Sequence, residues 1–205
     1  MGYYVRLLTK SDRVVPYHEL KEALEKKRPD VVLELGDGTD DSWENLSLAH
    51  KDGQHISVME RNPVADGTLG EEELEEFIEM VEDCEPVSGA QWLLKYLPDI
   101  KTIYAFQIIF GGAERDDGWD ALDMVKDHLW EELGGLLQAD NEGISNEQGD
   151  YIIWQFSPDV EGMASMAVMD KSGKWVAFQM NVGNRKHRKA FLKGKVPRGV
   201  KLIES

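Results

Sequence analysis

Strand-like stretches joined by very short connections occupy the last third of the sequence, and they restrict what the chain can fold into. From residue 135 onward the β-type patterns are GLLQA, YIIWQF, ASMAVMD and KWVAFQMNV, and only the turn KSGK joins the last two. A parallel crossover needs a dozen or more residues, so a connection of this length cannot return a parallel strand. The sequence therefore predicts antiparallel pairing of these two strands.

Helical patterns alternate with strands in the rest of the chain. Apolar residues recur every three or four positions over four segments, which are 16–27, 71–83, 88–97 and 119–133. Further strands are predicted at 3–9, 31–35, 54–61 and 102–110. The predicted fold class is α+β, with a mostly antiparallel sheet and amphipathic helices.

Two parts of the chain follow a similar order of elements. Residues 46–62 and 165–181 each read as two strands around a glycine-containing turn, and a charged helix follows each of them. We predict an N-terminal half at 1–98 and a C-terminal half at 99–205, each built on a β-α-β-β-β-α plan and sharing a core. The alternative is a single α+β domain with unrelated hairpins.

Charge is distributed unevenly along the chain. The net charge is −16, yet residues 171–205 hold ten Lys or Arg against one acid, so this segment carries +9 and residues 1–170 carry −25. Phosphate attraction requires Lys and Arg, which most of this surface lacks, so no nucleic-acid partner is predicted. A strongly acidic surface instead favours a basic partner protein.

The sequence shows no targeting signal and no sign of a reactive thiol. No apolar run reaches the roughly 18–20 residues that cross a bilayer, and the first residues lack the apolar region of a signal peptide, so we expect a cytoplasmic protein without a membrane partner. The single cysteine, Cys84, excludes an internal disulfide, and its acidic neighbours disfavour a thiolate nucleophile.

The stretch VVLELGDGTDD, residues 31–41, resembles the first motif of class I methyltransferases. Glu34 ends a strand, Gly36 and Gly38 form a glycine turn, and Glu60 follows near the end of the next strand, 22 positions after Gly38. The resemblance implies that these residues bind S-adenosylmethionine and that DSWENLSLAHKDG forms the crossover helix. An S-adenosylmethionine-dependent methyltransferase-like enzyme is therefore the alternative function.

The same stretch is also an acidic bend. Its candidate partner-binding residues are Asp37, Asp40, Asp41, Trp43 and Glu44, with Trp43 expected to be an exposed contact. Calcium is not predicted here or in the acidic loop at 140–150, because neither keeps the spacing of an EF-hand. Motifs for nucleophilic, zinc-dependent or phosphate-binding catalysis are absent.

We therefore predict a non-enzymatic, acidic protein-binding module that neutralises a basic partner protein, as immunity proteins and secretion chaperones do. No cofactor, metal or catalytic residue is assigned, and the oligomeric state stays open.

The basic segment RKHRKAFLKG, which starts at Arg185, has two explanations. Either it lies against acidic surface of the same chain and relieves self-repulsion, or it binds an anionic ligand.

Overall fold

The computed structural model describes residues 2–203. Within these residues the helices are α1 (Tyr17–Lys27), α2 (Leu69–Glu82), α3 (Val87–Tyr96), α4 (Phe110–Ala113), α5 (Gly118–Leu133) and α6 (Arg185–Phe191). The strands are β1 (Tyr3–Thr9), β2 (Val31–Leu35), β3 (Gly38–Thr39), β4 (Ser42–Trp43), β5 (Asn45–His50), β6 (His55–Pro63), β7 (Thr102–Ile108), β8 (Leu136–Ala139), β9 (Gly143–Ser145), β10 (Tyr151–Trp154), β11 (Met163–Met169), β12 (Trp175–Asn181) and β13 (Lys201–Leu202).

The chain forms two compact units that interleave along the sequence. In the described part of the chain, unit 1 comprises residues 2–71 with Ile100–Gly135, and unit 2 comprises Glu72–Asp99 with residues 136–203. Each unit therefore takes residues from both sides of position 98, where the sequence places the boundary between its two halves. A duplication of the two halves stays a prediction.

Unit 1 is an antiparallel sheet in the order β1-β7-β6-β5-β2, on which helices pack. β7 lies between β1 and β6, and six of its seven residues are buried. The helices α1 and α5 pack against each other, and they also contact β2 and β1 respectively. The core of this unit includes Leu7, Leu20, Leu24, Phe106 and Leu129, whose side chains are at most 1% exposed.

Unit 2 has six strands in the order β13-β12-β11-β10-β9-β8. All of its pairs are antiparallel except β10 with β11. The helix α3 packs closely on β10, and a Cβ atom at Gly89 would lie 2.4 Å from the carbonyl oxygen of Ile152. A second apolar cluster forms the core at β11, β12 and α6, and it consists of Met166, Val168, Phe178, Met180, Val182 and Phe191.

The predicted fold class is confirmed, because helices and mostly antiparallel strands make up both units. The crossover helix expected between residues 41 and 53 is wrong. That segment contains β4 and β5, and the first four residues of β5 alternate between half-buried and buried positions, as a strand requires.

Candidate functional site

The acidic bend is a small hairpin in which β3 pairs with β4. Gly38 pairs with Trp43 and Thr39 pairs with Ser42, so Asp40 and Asp41 lie at the tip. Gly38 has a φ of +98°, and a Cβ atom there would lie 2.3 Å from the carbonyl oxygen of Ser42. The hairpin thus depends on glycine at this position.

Trp43 anchors the hairpin in the core. We expected an exposed contact, but its side chain is 0% exposed, so this expectation is wrong. Its Nε1 donates a hydrogen bond of 2.9 Å to the carbonyl oxygen of Val15, and its ring centroid lies 5.6 Å from that of Tyr104. The Arg61 side chain donates to the carbonyl oxygen of Trp43 at 2.9 Å. The buried indole therefore anchors the strand that follows the acidic tip of the hairpin.

Two hydrogen bonds between Asp37 and Asn45, one from a side chain and one from the backbone, fix the base of the hairpin. Asn45 Nδ2 donates to Asp37 Oδ2 at 2.8 Å, and the Asp37 amide donates to Asn45 Oδ1 at 3.2 Å. Glu44 follows with an exposed side chain. Together with Glu60 and Arg61 it lines an open groove of about 350 Å³. The carboxylate of Asp37 is thus held in place, and the side chains of Asp37 and Glu44 are both exposed to solvent.

Asp40 caps α1 from outside the helix. Pro16 precedes the helix and offers no side-chain cap, whereas Asp40 Oδ1 accepts a hydrogen bond of 2.7 Å from the amide of His18. Asp40 Oδ2 lies 2.6 Å from His18 Nδ1. The hydrogen bond to Asp40 raises the pKa of His18, and the hydrogen bonds from the His18 amide and then its imidazole lower the pKa of Asp40.

We expect this pair to stabilise the bend only in a defined pH window. The raised pKa of His18 means that its contribution is complete below the ordinary value of 6.5 and is lost as the pH rises through the folded-state value. The lowered pKa of Asp40 means that its contribution is complete above 3.8 and is lost as the pH falls through the folded-state value. The contribution should therefore be largest between 3.8 and 6.5.

An NMR titration of the imidazole signals measures this directly. The pKa of His18 should lie above 6.5 in the wild-type protein and should fall in Asp40→Asn. His55, whose Nδ1 contacts Ser47 and not Asp40, serves as the reference imidazole when the signals are assigned. An equal pKa of His18 in the two proteins would show that the pairing does not form in solution.

A second acidic site lies in unit 1, between α1 and α5. Four carboxylates on one face of α5 line a groove of about 310 Å³, and these are Asp120, Asp123, Asp127 and Glu131. The basic groups that line it are Lys27 from α1 and His128 from α5. The sequence indicated the helix through its apolar positions. The acids recur three or four residues apart opposite those positions, which is the signal that could have identified the groove.

Partial burial and neighbouring negative charges raise the pKa of one carboxylate in this groove, that of Asp127. Lys126 Nζ lies 2.5 Å from Asp123 Oδ1 and 3.5 Å from Asp127 Oδ1. Burial is the main cause of the raised pKa of Asp127, and the neighbouring carboxylates of Asp123 and Glu131 add to it. The side chain of Asp127 is still 52% exposed. Negative charge in the groove is therefore less favourable than in bulk water. The groove is also open to a cation from solvent.

The residues that resemble the methyltransferase motif are not arranged as that motif requires. Glu34 is in β2, which pairs antiparallel with β5, and Glu60 is in β6, which also pairs antiparallel with β5. The amide of Gly36 donates to the carbonyl oxygen of Asn45, and Gly38 belongs to the acidic hairpin. The parallel strand–helix–strand unit that places such a glycine turn under a nucleotide is absent from residues 31–60.

Over residues 2–203, no three His, Cys, Asp or Glu side chains are grouped in a way that could hold a metal ion. Cys84 is half-buried, and burial raises the pKa of its thiol.

None of the described helices combines the length and the apolar character needed to cross a membrane.

No protein-family model, curated protein or solved structure matches this chain.

Proposed function

We propose that this chain is a cytoplasmic, non-enzymatic module that binds and neutralises a basic partner protein through the acidic surface of unit 1. We define this acidic surface as the bend residues Asp37, Asp40, Asp41 and Glu44 together with the groove residues Asp120, Asp123, Asp127 and Glu131. The mode of action is analogous to that of immunity proteins and secretion chaperones. The analogy rests on charge and size, not on a shared fold.

The groove is the observation that carries the proposal. The carboxylates lie on one face of a helix, three or four residues apart. They form a row of negative charges in which carboxylates four residues apart are separated by about 6 Å along the helix axis. A Lys- or Arg-rich segment of a partner would neutralise this row. Docking would also remove the like-charge repulsion that contributes to the raised pKa of Asp127. The groove is therefore suited to a cationic surface.

The bend supports the same proposal from the N-terminal end of α1. The side chains of Asp37, Asp41 and Glu44 are exposed, and the contact with His18 fixes the direction of Asp40. Fixed carboxylates lose little conformational freedom when a partner binds, which favours association. The excess of negative charge also accelerates encounter with a basic protein, and added salt weakens that effect.

A pull-down from extract of the native cell with three baits tests the proposal. The baits are the wild-type protein, the groove variant Asp127→Asn/Glu131→Gln, and the control variant Glu75→Gln/Glu76→Gln, which changes the net charge equally on the exposed face of α2. We expect a basic protein on the wild-type and control baits at low salt, much less of it at high salt, and a loss on the groove variant. Equal recovery by all three baits, or no basic protein on any, would contradict the proposal.

The groove variant should remain folded, which makes the comparison interpretable. A raised pKa of Asp127 means that ionising this carboxylate opposes folding at neutral pH, so Asp127→Asn should not lower the thermal midpoint. The pair between Lys126 and Asp123 is left intact in this variant. Thermal melts of the three baits at neutral pH provide the control.

A further inference from the structure

The helix α6 presents a row of cations to solvent. Arg185, Lys186 and Lys189 are exposed along one face, and Lys193 follows in the turn after the helix. We call these four residues the basic row. Arg185 and Lys189 are four residues apart, so they lie about one helical turn from each other, and Lys193 continues the row beyond the end of the helix.

The opposite face of α6 fixes the basic row to unit 2. Phe191 is 0% exposed in the apolar cluster, and Leu192 packs against the same cluster. The guanidinium of Arg188 lies 4.8 Å above the ring centroid of Trp154, and its Nη2 donates to the carbonyl oxygen of Pro158 at 3.1 Å. Asn184 caps the helix by accepting from the amides of Lys186 and His187. The row is therefore held by apolar packing and capping.

Among the described residues, no acidic group pairs with the basic row. Over residues 2–203, none of its four cations lies within 4.0 Å of a carboxylate. Acidic surface beneath this helix was one of the two explanations drawn from the sequence, and the contacts under α6 are apolar instead. Like charges four residues apart on a helix repel each other and destabilise the helix. An external anionic surface would offset this cost.

We propose that the basic row of one molecule docks in the groove between α1 and α5 of a second copy of this chain. The row Asp123, Asp127 and Glu131 on α5 has the same four-residue spacing as Arg185, Lys189 and Lys193. Two rows of opposite charge with the same spacing along the sequence can pair along their length. The inference uses the groove of the proposed function, but it does not require that a foreign basic protein binds there.

Charge favours a second copy over nucleic acid as the occupant. A polyphosphate would meet the basic row but would be repelled by the −25 charge of residues 1–170. The guanidinium of Arg188 lies 4.8 Å over the ring of Trp154, so a base cannot stack on that face. A second copy carries both the basic row and the acidic groove. Its overall repulsion falls off within the screening length of about 8–10 Å, whereas the rows in contact are screened much less.

Sedimentation velocity of the purified protein over a range of concentrations tests the proposal. We expect a concentration-dependent shift from monomer to a larger species at about 0.1 M salt, and a smaller shift at about 1 M salt, where the screening length falls to about 3 Å. A closed dimer indicates reciprocal docking, and longer species indicate head-to-tail docking, and both support the inference. A monomer at every concentration would overturn it.

Two charge-reversed variants identify the surfaces. The first is Arg185→Glu/Lys189→Glu, which keeps the groove, and the second is Asp127→Lys/Glu131→Lys, which keeps the basic row. Neither should associate with itself, but their mixture should form a one-to-one complex, because each supplies the surface that the other lacks. The control Lys171→Glu/Lys174→Glu changes the same charge in the exposed turn between β11 and β12 and should associate like the wild type.

Three other outcomes would also contradict docking between two copies. A mixture that stays monomeric, with both variants folded by circular dichroism, would show that the two rows do not pair. A wild-type protein that stays monomeric but shifts a labelled oligonucleotide would assign the basic row to a polyphosphate and overturn the self-association. A foreign basic protein that binds the groove while the wild type stays monomeric would leave the proposed function standing and remove this inference.

Discussion

Replacing Trp43 with alanine is expected to lower the free energy of unfolding by about 3–5 kcal/mol, the usual cost of removing a large buried aromatic side chain. Trp43 is 0% exposed, it packs on Tyr104, and its indole nitrogen donates to the carbonyl oxygen of Val15 at 2.9 Å. The substitution leaves both a cavity and an unpartnered buried carbonyl. Since Trp43 is part of the acidic hairpin, the loss should also release the bend from the body of unit 1.

The variant Trp43→Phe separates the hydrogen bond from the packing. Phenylalanine keeps most of the apolar volume but cannot donate to Val15, so we expect a loss of about 1–3 kcal/mol. Leu69→Ala is the matched control, because Leu69 is 59% exposed and its truncation should change stability by no more than about 0.5 kcal/mol. Urea denaturation at neutral pH measures all three. A loss below about 1 kcal/mol for Trp43→Ala would show that the indole is not buried in solution.

Trp43 also shows why the candidate site was only partly predictable. It lies between Ser42 and Glu44 in a stretch of polar and acidic residues, and such surroundings indicate an exposed loop. The strand β4 has only two residues, which is too short for an alternating pattern to show which side chain points inward. Its burial follows from contacts with Val15 and Tyr104, which are distant along the chain.

The fold class was predictable because apolar periodicity is a local property. The stripes of α1 and α5 and the alternation in β12 follow from residues a few positions apart. The interleaved units were not predictable in the same way, because β1 pairs with β7 across about a hundred residues and no local pattern specifies that partner. The groove was missed for the same reason, since it exists only where α1 lies beside α5.

The largest effect expected in unit 2 is that of Phe191→Ala, which should lower the free energy of unfolding by about 3–5 kcal/mol. Phe191 is 0% exposed among Met166, Phe178 and Met180, and its ring centroid lies 6.1 Å from that of Trp154. It is the fully buried side chain of α6. Its removal should therefore detach the helix from β11 and β12, and with it the surface that carries the basic row.

The response to salt distinguishes this packing effect from an electrostatic one. If α6 were held by attraction to acidic surface, Lys189→Ala would lower stability and moderate salt would change the loss. Phe191 and Leu192 hold α6 by apolar contacts, and Arg188 contacts the ring of Trp154 and the carbonyl oxygen of Pro158. Lys189→Ala should therefore change stability by no more than about 0.5 kcal/mol, and the loss in Phe191→Ala should be the same at about 0.1 M and about 1 M salt. Denaturation at the two salt concentrations, together with hydrogen exchange of the Arg188 and Leu192 amides, measures both effects. A large, salt-dependent loss in Lys189→Ala would mean that its charge is already used within the chain, and the basic row would then not be free to bind a second copy.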